Sequence, residues 1–174
     1  MSIFASGHAR GVALEVGARA PALTLLGGMA CDGENVVPAG PPRLVFASAR
    51  DGNCEIYVMD ADGSALARIT NSTAFDFSPT WSPEGSTIAF ASDRDGAMEI
   101  HAMQADGSAQ TRLTNTGAPG EAPAWSPDGS KLAFESYPSG NRDVYVMNAN
   151  GTAQTGLTTA AAFDGSPAWA PDGP

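Results

Sequence analysis

Apolar and polar positions in the second half of the chain alternate with a period of two, in short runs broken by clusters of Gly, Pro and Asx. In "KLAFES" (131–136), Leu132 and Phe134 fall on one face of an extended segment and the small Ala133 on the other. "DVYVMN" (143–148) is β-branched and aromatic and predicts a second strand. "YPSGN" between them is a turn, and "NANG" (148–151) ends in the Asn-Gly pair of a tight hairpin. "TGLT" (155–158) predicts a brief outer strand. Upstream, "APAW" (122–125) starts a short strand, with Pro where no ladder donor is needed. "SPDG" follows it as a turn in which Pro fixes φ and Gly accepts a positive φ. The expected unit is an antiparallel meander of four strands. Its faces are both apolar or small, so each must be covered by a neighbour.

The same unit is written more than once. Trp81, Trp125 and Trp169 are 44 residues apart, and so are Phe46, Phe90 and Phe134, Met59, Met103 and Met147, and Thr70, Thr114 and Thr158. Asp62-Gly63, Asp106-Gly107 and Asn150-Gly151 keep the same phase, with no insertion or deletion. A fixed period of this size marks a four-stranded propeller blade. The predicted fold is all-β: a partial β-propeller of three four-stranded antiparallel blades, at about 43–87, 88–131 and 132–174. The Trp81, Trp125 and Trp169 column and the Phe46, Phe90 and Phe134 column would fill the gaps between blades.

The phase carries a further expectation. The first repeat begins at Arg43 with the second strand of a blade, and the last reaches Pro174 with the first strand of another. Two completions are open: further sequence of a longer propeller, or a second chain that closes a ring of six blades. In the second, the Trp169 strand of each chain completes the first blade of the other. An isolated arc would leave sheet faces and edges exposed.

Residues 1–42 do not carry the repeat as read from these columns. Arg10 and Arg19 precede the apolar run "PALTLLGGMAC", which ends in small residues and Cys31. That order is the order of a secretory signal peptide, and with Cys31 it resembles a lipoprotein signal whose cysteine is lipidated after cleavage. Residues 1–31 are therefore expected to be a leader and 32–42 a Pro/Gly-rich tether.

Composition narrows the function. The net charge of −10 argues against nucleic acid and against an anionic membrane surface. No run of 18 apolar residues is present, so a membrane would be met only through a lipid anchor. Cys31 and Cys54 could pair, but nothing in their spacing requires it. Of the two histidines, His8 lies in the leader and His101 in the column of Tyr57 and Tyr145, a packing position. No nucleophile elbow and no Ser-His-Asp set can be proposed, so a non-catalytic protein without cofactors is expected. "DADG" (60–63) resembles a calcium loop but reads better as an Asx hairpin turn, because Gln104 and Asn148 replace Asp60 in phase. No metal site follows. Arg50 with Glu55 and Arg94 with Glu99 would make exposed ion pairs across a hairpin, dispensable because Pro138 stands in the Arg column of the third repeat.

What remains is a loop surface. In a propeller the loops before each Trp strand share a face with the loops joining the second and third strands. That face should carry Phe75, Asp76, Phe77, Glu121, Phe163 and Asp164, together with Arg50, Asp51, Asp93, Arg94 and Asp95. Asp76, Phe77, Glu121, Asp164, Arg50, Asp93 and Arg94 are the candidate partner-binding residues. Aromatics beside carboxylates on loops suit recognition of a protein or peptide with basic character. The alternative is that Phe75 and Phe163 tuck between blades.

"RDGNCEIYVMDADGS", "DRDGAMEIHAMQADGSAQTRLTN" and "NRDVYVMNANGTAQTGLT", each followed by Pro-x-Trp-[Ser/Ala]-Pro-[Asp/Glu]-Gly, closely resemble the WD40-like propeller repeat of the TolB family over roughly 43–173. The resemblance implies a six-bladed periplasmic propeller that binds proteins of the cell envelope without catalysis. It equally admits the substrate-gating propeller of an oligopeptidase-type serine peptidase whose catalytic domain is absent from this chain. TolB proper carries an α/β domain ahead of its propeller, where this chain is expected to have only the leader and tether.

Overall fold

The computed structural model describes residues 41–115, 117–138 and 140–171. The expected leader, its Cys31 and the tether up to residue 40 lie outside the described residues. The described chain is built from strands, tight turns and loops, arranged as three antiparallel sheets. The first contains β1 (Arg43–Ser48), β2 (Glu55–Asp60) and β3 (Ala67–Arg68). The second contains β4 (Asp76–Trp81), β5 (Thr87–Ser92), β6 (Glu99–Gln104) and β7 (Thr111–Arg112). The third repeats it with β8 (Gly120–Trp125), β9 (Lys131–Ser136), β10 (Asp143–Asn148) and β11 (Thr155–Gly156). Every sheet is a meander in chain order. Four strands per blade hold for the second and third; the first has three among the described residues.

The backbone repeats as closely as the sequence does. Ser78, Ala122 and Ser166 all take positive φ, at 49°, 48° and 54°. In β4 and β8 that residue makes a β-bulge, where the register shifts between Phe77 and Thr80 and between Glu121 and Ala124. Residues 164–169 form no ladder, yet they hold the same shape. The Asp164 N–H donates to the Arg142 carbonyl at 3.0 Å, as Asp76 does to Cys54 at 2.9 Å and Gly120 to Met98 at 2.8 Å. This segment holds the shape of a first strand and pairs with no strand among the described residues.

The alternating pattern gives each sheet two apolar faces, and the sheets use them on one another. Ile56 and Val58 on β2 pack against Ile88 and Phe90 on β5 and Met103 on β6, with Trp81 at the margin. From the other face of the second sheet, Ala89, Ala91 and Ile100 meet Leu132 and Phe134 on β9 and Met147 on β10, with Trp125 and Tyr145 alongside. Phe90 and Phe134 are buried in these two gaps. Phe46 and Trp169, at the outer ends of their columns, are half-buried, and Leu44 is 48% exposed. The Trp169 indole N–H donates to the Ala124 carbonyl at 3.0 Å.

The expected pairs of Arg50 with Glu55 and Arg94 with Glu99 do not form. Glu55 and Glu99 point inward from the starts of β2 and β6 and are buried. The Thr70 hydroxyl donates to Glu55 at 2.6 Å, and Thr114 donates to Glu99. Thr158 donates to the shorter Asp143 at 3.2 Å. Each hydroxyl also accepts the N–H that follows the acid, from Ile56, Ile100 and Val144 at 2.8, 2.9 and 3.0 Å. One threonine per blade thus satisfies a buried carboxylate and ties the outer loop to the third strand. Thr114→Val keeps the shape but orphans the Ile100 N–H and part of the Glu99 carboxylate. It is expected to cost about 1–3 kcal/mol, read from the shift in the denaturant midpoint.

The hairpin "DADG" is an Asx turn. Asp62, Asp106 and Asn150 accept the N–H two residues on, from Ser64, Ser108 and Thr152, at 2.8, 2.9 and 3.1 Å. In the "SPDG" turn between β8 and β9 of the third sheet, hydrogen bonds from the Ser126 hydroxyl and then from Ser130 hold the Asp128 carboxyl down at about 2, from its usual 3.8. Cys54, at the end of the turn before β2, is a free thiol.

Candidate functional site

Strands two and three of each blade are joined by loops at residues 49–54, 93–98 and 137–142, and these meet the loops that lead into the next blade. The contacts are specific. The Asn53 amide donates to the carbonyls of Ser72 and Ala74, and Asn141 makes the matching pair of bonds to Ala160 and Ala162. The Phe75 N–H donates to Asp93 at 2.8 Å. The two loop sets therefore form one surface, which holds the candidate residues.

The arginines sit on aromatic rings. The Arg94 guanidinium lies 5.2 Å from the Phe90 centroid, its Nε donates to the Ser92 hydroxyl at 2.9 Å, and it grips both oxygens of Asp76 at 3.0 and 2.9 Å. Both bonds come from one nitrogen, Nη2, and a ring-backed guanidinium over a buried carboxylate holds its geometry better than a loose surface pair. Arg50 takes the equivalent seat in the first blade: 5.2 Å from Phe46, 4.7 Å from Tyr57, with Nε donating to Ser48 at 3.0 Å. Among the described residues no carboxylate pairs with it. In the third blade Pro138 occupies the arginine column, and Arg142, four residues on, takes over. It lies over Tyr137 and Phe163 at 4.8 and 5.4 Å and pairs with Glu121 at 3.1 Å and Glu135 at 2.9 Å.

The candidates thus divide. Asp76 is buried beneath Arg94, and Phe77 packs against the core between the second and third sheets. Glu121 is half-buried under Arg142, and Asp93 is half-buried with Phe75 capping it through its N–H. Asp164 is half-buried at the head of the unpaired first strand. Phe75 and Phe163 are 54% and 62% exposed, so the alternative in which they tuck between blades is not what the structure shows. Asp51 and Asp95 are exposed and anchor a second layer. Tyr57 donates to Asp51, and burial, followed by this bond to an acid, raises the Tyr57 hydroxyl above its ordinary range. His101 is buried against Phe90, with Nε2 3.2 Å from Asp95, and Arg112 lies 3.6 Å from the same carboxylate. Burial and the neighbouring Glu121 push the Tyr137 hydroxyl up to about 12. Arg142 and Tyr137 were not singled out from the sequence. The signal was there: an arginine four residues after the proline that breaks the column.

Chemically the surface offers exposed phenyl rings, ring-backed guanidinium groups and exposed carboxylates. Among the described residues no group of three or more His, Cys, Asp or Glu side chains could hold a metal ion.

A family model described as the TolB beta propeller domain matches residues 29–120 and 116–174. The chain belongs to the TolB β-propeller family. The match reaches ahead of Arg43, into the stretch read above as leader and tether. A TolB homolog of Chlorobaculum tepidum is 45% identical over 47 residues, which is 27% of this chain and 11% of that one. Among solved structures, a putative TolB from Agrobacterium tumefaciens is 30% identical with a TM-score of 0.69, covering 75% of this chain and 51% of that chain. TolB from Acinetobacter baumannii, also 30% identical, has a TM-score of 0.63 over 71% of this chain and 31% of that one. The chain therefore spans about half, or less, of the TolB proteins it matches.

Proposed function

We propose that this TolB-type propeller is a non-catalytic binding module of the bacterial cell envelope, exported to the periplasm and engaging a protein or peptide through its loop face. The observation that carries this reading is Phe75 and Phe163 standing exposed beside arginines and carboxylates held rigid by the blades. An exposed phenyl ring gives nothing to solubility, whereas a preorganised ring next to fixed charges is what an interface centre needs. The acidic balance of the chain, −10 overall, favours a partner segment of basic character. Two relatives, from Desulfosudis oleivorans and Geobacter sulfurreducens, are named as TolB proteins of the Tol-Pal system, which supports an envelope setting and protein partners. A lipid anchor at Cys31 would hold the module at a membrane, and self-association through the open blade faces belongs to the same reading.

A panel of arginine- and lysine-rich peptides, titrated against the chain by fluorescence polarisation, tests this. Phe75→Ala and Phe163→Ala should each weaken the best binder by about tenfold to a hundredfold, the scale of a truncated interface anchor. Saturable binding that both substitutions leave unchanged would remove the loop face as the site.

A further inference from the structure

Of the seven asparagines in the chain, Asn150 alone is followed by glycine. It stands in the outer hairpin of the third sheet, where the first and second sheets carry Asp62 and Asp106. We propose that Asn150 is the chain's site of spontaneous deamidation, and that docking of its hairpin on the second sheet holds the reaction back, so that modification records the opening of the third sheet. The hairpin lies at the far end of β10 from the loop face, so nothing here depends on what that face binds.

The chemistry needs only solvent. The Gly151 nitrogen attacks Cγ of the Asn150 side chain, and the amide nitrogen leaves as ammonia, taking the Gly151 N–H proton. A five-membered succinimide closes. Water then opens the ring at either carbonyl and leaves aspartate or isoaspartate. Glycine favours the attack, because no side chain crowds its nitrogen and its backbone turns freely. Asn150 is exposed, so water reaches it.

In the folded hairpin both reacting groups are engaged elsewhere. The Gly151 N–H donates to the Asn148 carbonyl at 2.8 Å. The Asn150 side-chain oxygen accepts from the Thr152 N–H at 3.1 Å and from its hydroxyl at 2.7 Å. The tip cannot turn to free them while it rests on the second sheet. A Cβ on Gly151 would stand 2.4 Å from the Leu113 carbonyl oxygen, and the Gln154 amide donates to the Leu113 and Gly151 carbonyls at 3.4 and 3.0 Å. Cyclisation therefore waits on local opening. The two products differ in whether they can dock again. Aspartate fits, because Asp62 and Asp106 hold the same turn, where side-chain and then backbone bonds from Ser64 and Ser108 keep their carboxyls below the ordinary range. Isoaspartate adds a carbon to the main chain where the tip has no slack against Leu113, so a hairpin that carries it stays undocked.

Peptide mass mapping with isoaspartyl methylation, on chain incubated at mildly alkaline pH, reads the site and the rate together. In the urea-unfolded chain Asn150 should be the first residue modified, at least about tenfold faster than in the folded chain. Gln154→Ala removes the clip on Leu113. It should speed the folded-state reaction at least about threefold while the urea midpoint stays in place, which a role in global stability alone would not do. Circular dichroism checks that this variant folds; if it does not, Thr152→Val, which removes the hydroxyl bonded to Asn150, takes its place with the same expected acceleration. Asn150→Asp should keep the wild-type midpoint, and chains carrying isoaspartate should unfold at lower urea. Equal rates in buffer and in urea, first modification at another asparagine, or a folded variant that reacts no faster than wild type overturns the proposal.

Discussion

Phe90→Ala is expected to lower the stability of the chain by about 3–5 kcal/mol, the cost of emptying a large, fully buried aromatic site. Phe90 has no exposed surface and fills the gap between the first and second sheets, against Ile56 and Val58. Its neighbours cannot collapse into the void, because β2 and β5 are each held in register by ladders on both sides. The ring also lies under Arg94, so its loss loosens the grip on buried Asp76 and adds to the cost. Phe134→Ala, in the same column between the second and third sheets, should fall in the same range. Domains of this size are stable by only about 5–15 kcal/mol, so either variant should stand close to unfolding at room temperature. Equilibrium unfolding in urea checks both, with a lower midpoint at unchanged slope as the expected outcome.

Gly107→Ala is the second large effect. The residue holds φ at +86°, which costs an L side chain about 1–2 kcal/mol on its own. Its added Cβ would also stand 2.3 Å from the Ile69 carbonyl oxygen, an atom locked in place because the Ile69 N–H donates to Ile56 at 2.9 Å. The blades would have to part, which adds about 1–3 kcal/mol of overpacking strain. Gly85 is the internal control: its φ is +71°, and nothing lies within 4 Å of its Cβ position. Gly85→Ala should show only the backbone term, about 1–2 kcal/mol. Equal losses at Gly85 and Gly107 in thermal or urea unfolding would mean that the outer hairpins of adjacent blades do not touch as described.

The fold was legible because it is written three times. Alternation in "KLAFES" placed Leu132 and Phe134 on one face, and the spacing of Trp81 to Trp125 carried that reading to every strand. The side-chain network was less legible, for a physical reason. A glutamate next to a turn is ordinarily solvated, so Glu55 and Glu99 were read as the partners of the nearest arginines across the hairpin. What overrides that expectation is a contact 15 residues away in sequence, with Thr70 and Thr114. The threonine column was visible at the same 44-residue period as the acids, and linking the two columns would have revealed the pairing. The positive φ of Ser78, Ala122 and Ser166, which makes a bulge in β4 and β8, had no such signal, since serine and alanine seldom take that conformation. Of the loop face, sequence mapping gathered the right loops. Periodicity alone could not say that Asp76 would be buried beneath Arg94 or that Arg142 would replace the missing column member.

The claim on which the rest depends is that these sheets persist only by covering one another. Residue-resolved hydrogen exchange on the chain and on Phe90→Ala tests it most directly. The account predicts that β2, in the neighbouring sheet, loses protection together with β5, because both face the emptied gap. Loss of protection in β5 with β2 unchanged would contradict it.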